Sequence, residues 1–79
     1  MRQFLVKLNS VDDVKRFVTL STIRPFEVYV QTDSQKVSAK SFMGMFSLDY
    51  REPVQVVAQC QEDQWENFGR DIREFILEA

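Results

Sequence analysis

The chain contains no histidine. That removes the commonest general base and the commonest metal ligand together. Its single cysteine, Cys60, allows no internal disulfide and no cysteine-built metal site, and it fits a reducing compartment. Lys and Arg number 10 against 12 Asp and Glu, so a net charge of −2 leaves no cationic surplus for nucleic-acid phosphates. No apolar run approaches the ~20 residues of a membrane span. The opening MRQFLVKLNS is interrupted by Lys7 after Phe4, Leu5 and Val6, unlike a secretory signal. The expectation is a cytoplasmic domain with no metal, no cofactor, no nucleic-acid partner and no membrane association. Glycine and proline are also scarce, at 2 each, and repeats, linkers and low-complexity segments are missing. What is present is ordinary for a globular chain: 79 residues, 44% hydrophobic and 28% charged, read as a single domain over 1–79.

Periodicity orders the elements. Phe4, Val6 and Leu8 alternate with Gln3, Leu5 and Lys7, which predicts a strand with one apolar face. Ser10 is placed to cap a helix whose first turn carries Asp12 and Asp13. Val11, Val14, Phe17, Val18 and Ser21 follow at helical spacing, and the helix should run to about Thr19–Ser21. Arg24-Pro25 ends the pattern. Phe26, Val28 and Val30 make a second strand, Thr32-Asp33-Ser34-Gln35 a turn, and Lys36-Val37-Ser38 a return strand. A short helix starts at Ser41 and stops near Leu48; Arg51-Glu52-Pro53 is a loop; Val54, Val56 and Ala58 define a fourth strand. Glu62 and Asp63 open a last helix with the stripe Trp65, Phe68, Ile72, Phe75 and Ile76. The order β-α-β-β-α-β-α predicts an α+β fold. Its four-stranded antiparallel sheet is covered on one face by helices, an open-faced β-sandwich.

The candidate chemistry is sparse. Cys60 precedes a helix N-terminus, where a thiol can be activated, but no histidine is available and Glu62 and Asp63 oppose ionisation. It reads as a small packing residue. The acidic pairs Asp12-Asp13 and Glu62-Asp63 suit helix dipoles without invoking catalysis. Asp71, Glu74 and Glu78 are expected on the solvated face of the last helix. No enzyme is indicated.

The densest feature is SAKSFMGMFSLDY, residues 38–50. Ser41 can cap the short helix through a bond from the amide of residue 43 or 44, and the same geometry would stabilise a phosphate placed on it. Gly44 indicates either close packing on the sheet or a flattened partner surface, since glycine costs about 1 kcal/mol in a helix relative to alanine. Met45 and Leu48 fall on one stripe, and Phe42, Met43 and Phe46 on another. A short helix on a sheet buries about one stripe. The second set is therefore expected to form an exposed patch for a protein partner or for a second copy.

The run SAKSFMGMFSL resembles the corresponding segment of HPr, the phosphocarrier of the bacterial phosphotransferase system, and the element order is the HPr order. The similarity extends over nearly the whole chain. It implies the open-faced β-sandwich of that family. It also implies that Ser10 and Asp12 stand where the family has its phosphorylated histidine and the arginine two residues on. Imidazole nitrogen is a good leaving group and a serine alkoxide a poor one, and Asp12 would repel phosphate where arginine attracts it. The resemblance thus implies a chain unable to relay phosphate. Ser41, with Lys40, Met43 and Gly44, matches the serine that a dedicated kinase modifies in many Gram-positive members. It implies Phe42, Met43 and Phe46 as the docking patch for a kinase, a regulator or another phosphotransferase component. The loop Asp49-Tyr50-Arg51-Glu52-Pro53 departs from the family by lacking glycine. The expected function is a non-catalytic regulatory module. The alternatives are a homo-oligomerising structural domain and, last, a phosphocarrier.

Overall fold

The structure, a computed structural model, describes residues 1–77; the expectation for Glu78, and the end of the expected 1–79 domain span, lie outside the described residues. Its elements are β1 (Arg2–Val6), α1 (Val11–Thr22), β2 (Val28–Gln31), β3 (Lys36–Ser38), α2 (Phe42–Phe46), β4 (Val54–Ala58) and α3 (Glu62–Asp71), followed by a single 3-10 turn over Arg73–Phe75. The strands form one antiparallel sheet in the order β1-β4-β2-β3. Period-two alternation places Val6, Val28, Val30, Val54, Val56 and Ala58 on the covered face, all buried. The helices supply the facing layer through Val14, Phe17, Val18, Met45 and Phe68, with Ile72 just past the end of α3. The opposite face is lined by Gln3, Gln31 and Gln55, joined side chain to side chain through Gln55.

Both first-turn caps follow from local chemistry. The Ser10 hydroxyl accepts the Asp13 amide at 3.1 Å, while the Asp13 carboxylate accepts the Asn9 amide at 3.0 Å. Two otherwise unpartnered amides at the start of α1 are thereby satisfied. At α3 the Gln64 side chain reaches back to the Gln61 amide at 2.9 Å.

Several boundaries differ from the periodicity. Leu8 is buried but lies beyond the end of β1, and Phe26 is buried but precedes β2, packing edge-on against Phe68 at 5.6 Å. Val11, expected on the inner stripe of α1, is its first residue and is 47% exposed. The last helix does not carry its stripe to Ile76. It stops at Asp71, and Ile76 instead stands opposite Val6 in an isolated antiparallel bridge. Asp71 and Glu74 face solvent as expected, but each also takes an arginine of the α1 region, Arg24 and Arg16 respectively.

Candidate docking site around Ser41

Three contacts fix the entry to α2. The amide of Ala39 donates to the carbonyl of Val28 at 2.8 Å, the Lys40 ammonium to the carbonyl of Arg24 at 2.8 Å, and the Lys40 amide to the Ser38 hydroxyl at 3.2 Å. The chain therefore arrives from the edge of the sheet at the C-terminal end of α1. Ser41 is extended there (φ −105°, ψ 112°), and its hydroxyl accepts the Gly44 amide at 3.1 Å. This is the cap expected from sequence. The residue is half-buried, less open than a cap serine on a free helix end, because α2 packs against both α1 and β3.

Gly44 is explained by that packing. A Cβ at this position would lie 3.2 Å from Cβ of Val37 and 3.3 Å from the Ser41 hydroxyl oxygen. The missing side chain lets α2 approach β3 and keeps the cap uncrowded. Met45 and Leu48 fill the core beneath, at 1% and 4% exposure. Phe42, Met43 and Phe46 point away at 45%, 83% and 40%. The rings of Phe42 and Phe46 stack with centroids 6.2 Å apart and planes 18° from parallel, giving one continuous apolar surface with Met43 beside it. The division of the segment into a core stripe and a surface stripe is as expected.

Ser10 and Asp12 lie elsewhere, at the start of α1. Both are exposed, and the Ser10 hydroxyl already serves as the cap. A phosphoryl group there would meet the carboxylates of Asp12 and Asp13, while the nearest guanidinium of the helix, Arg16, is held by Glu74. Cys60 is buried just past β4 and the Met1 ammonium donates to its carbonyl at 3.4 Å. Burial pushes its thiol up, and Arg2 and the terminal ammonium pull the other way. Desolvation, not the neighbouring carboxylates expected from sequence, is the cause. Among the described residues no group of three Cys, Asp or Glu side chains is placed to hold a metal ion.

One exposed apolar residue near this site escaped the sequence reading. Ile23, the C-cap of α1, directly precedes Arg24, whose carbonyl holds Lys40, and is largely exposed. Its position just past Ser21, off the inner stripe and next to Arg24-Pro25, was the available signal.

No protein-family model matches the chain, and no curated protein matches it. Solved structures do. The protein HPr-C-His from Thermoanaerobacter tengcongensis superposes with a TM-score of 0.74 at 21% identity, covering 94% of this chain and 89% of that chain. A phosphocarrier protein HPr from Bacillus anthracis gives 0.68 at 19% identity, covering 89% and 94%. The Bacillus subtilis catabolite repression protein Crh, solved as an intertwined dimer with a swapped domain, gives 0.62 at 25% identity, covering 92% and 88%. The fold is HPr-like, and no described helix is long and apolar enough to cross a membrane.

Proposed function

We propose that this HPr-like chain, which has no histidine to carry phosphate, is a non-catalytic regulatory module that docks a protein partner through Phe42, Met43 and Phe46. The observation carrying this reading is the exposed, stacked aromatic pair beside a capping serine, set over a separate buried stripe. Phosphate on Ser41 gates the docking. It places a dianion at the first amides of α2 and next to the patch rim, changing which partner surfaces fit. Ser10 and Asp12 are the degenerate remnants of a phosphoryl-transfer site, since serine does not release phosphate as imidazole does. The partner is a kinase, a regulator or a phosphotransferase-type component in the cytoplasm of a bacterial cell.

Intact mass after two incubations tests this. One contains phosphoenolpyruvate with enzyme I, the other ATP with the serine kinase of the HPr system. Phosphate is expected only in the second, and lost in Ser41→Ala. Phosphate in the first overturns the reading.

The dimeric state of Crh favours a second reading, in which the same patch buries itself against a second copy and no phosphoryl role survives. Sedimentation separates the two. A tight dimer that Phe46→Asp disperses, with no phosphate gained in either incubation, supports the second.

A further inference from the structure

The outer edge of β1 is covered by the end of the described chain. Beyond α3, the segment from Arg73 to Leu77 makes one 3-10 turn and then runs antiparallel beside β1. The Lys7 amide donates to the carbonyl of Phe75 at 2.8 Å and the Leu77 amide to the carbonyl of Leu5 at 2.9 Å. Two side chains secure it. Phe75 is buried edge-on against Phe17 at 6.1 Å, and Glu74 pairs with Arg16, whose guanidinium also lies over the Phe75 ring at 5.4 Å.

This cover does what edge strands otherwise do for themselves. An unpaired edge recruits another strand unless it is very short or interrupted by lysine, proline or a bulge. The far edge, β3, spans only Lys36–Ser38 and opens on a lysine. β1 reads RQFLV, with neither proline nor lysine, and its Leu5 is exposed. Its protection is the strap.

The strap is also held less firmly than the strand it covers. Among the described residues it has a single bridge, Val6 to Ile76, where β1 and β4 pair from Arg2 through Val6. The groups of Leu5 and Lys7 point outward to the strap, so alternate residues of β1, Gln3 included, direct their backbone groups to that edge. Two copies of β1 can then pair antiparallel with Gln3 opposite Leu5 as the hydrogen-bonded pair and Phe4 on the axis. Arg2 falls opposite Val6, so within Arg2–Val6 no like-charged side chains meet.

We propose that Arg73–Leu77 is a removable edge guard, and that its opening exposes β1 as a pairing surface for β1 of a second copy of this chain. The surface is distinct from the Phe42, Met43 and Phe46 patch.

Amide hydrogen exchange on the unsubstituted chain is the first test. The Lys7 amide, held by the strap, is expected to exchange at least about tenfold faster than that of Phe4, which belongs to the β1–β4 pairing. Equal rates would mean that the strap leaves only on global unfolding, and would overturn the proposal. The second test is sedimentation of Glu74→Arg/Leu77→Pro in a Phe46→Asp background, so that the patch contributes no association. Leu77 is 41% exposed and Ile76 before it is extended (φ −75°, ψ 129°), a conformation that a following proline accepts. A dimer is expected where the Phe46→Asp parent is monomeric, and adding Leu5→Pro, which removes an outward N–H, should disperse it. A folded variant that stays monomeric, or a dimer indifferent to Leu5→Pro, overturns the proposal. Should the variant fail to fold, the exchange comparison decides.

Discussion

The Ser41 hydroxyl accepts the Gly44 amide at 3.1 Å, and the absence of a Cβ on Gly44 keeps that hydroxyl free to do so. The two residues therefore serve one another: the serine starts α2, and the glycine lets it start against β3. Removing the hydroxyl in Ser41→Ala should cost about 1 kcal/mol in urea denaturation. Ser41→Asp, which keeps a cap acceptor and adds charge, should recover most of that loss. A Ser41→Asp variant as unstable as Ser41→Ala would contradict the capping role.

Gly44→Ala sets two effects against each other. Alanine is favoured over glycine in a helix by up to about 1 kcal/mol. Its Cβ would press on Val37 at 3.2 Å, a β-branched residue held in register opposite Val30, and on the cap oxygen at 3.3 Å. Overpacking of this kind costs about 1–3 kcal/mol. The net expectation is a loss of about 1 kcal/mol, read as a lowered urea midpoint with an unchanged slope.

The two stripes of α2 should respond oppositely. Met43→Asp, on the surface stripe, should change stability by less than about 0.5 kcal/mol while abolishing binding to the partner captured by the Ser41-phosphorylated chain. Met45→Ala, on the core stripe, should cost about 3 kcal/mol. Comparable destabilisation by both would mean that Met43 packs rather than docks.

Arg24 joins α1 to α3. Its Nε donates to the carbonyl of Leu20 at 2.9 Å, its guanidinium pairs with Asp71 and lies 5.0 Å from the centre of the Phe68 ring, and its side chain is only 11% exposed. Arg24→Ala should cost about 2 kcal/mol, combining lost stacking with a lost charge-assisted bond. Arg24→Lys should rescue less than half, since an ammonium cannot keep the Leu20 bond, the ring contact and the carboxylate together. Thermal unfolding of the three forms checks this.

Cys60 should be inert in the native state. Burial raises its thiol, so the thiolate that attacks an alkylating reagent is scarcer at pH 8 than in the unfolded chain. Carboxamidomethylation followed by mass should run at least about tenfold slower in native protein than in urea. Equal rates would contradict its buried position.

Short-range chemistry was legible in the sequence. Alternation named the covered residues of β1, β2 and β4, cap spacing placed Ser10 and Ser41, and three- and four-residue spacing separated Met45 and Leu48 from Phe42, Met43 and Phe46. These follow from the periods of helix and strand, which any ten-residue window contains. Tertiary structure alone decided the rest. The pairs Arg16–Glu74 and Arg24–Asp71 join residues 58 and 47 positions apart, and no local period announces which arginine meets which carboxylate. Phe4 is half-buried because Trp65, from the other end of the chain, lies 4.8 Å from it. Ile76 fits the stripe of α3 by spacing, yet the edge of β1 takes it as a strand partner. An open row of backbone donors and acceptors offered bonds that another turn of helix did not, and only the folded sheet presents that row.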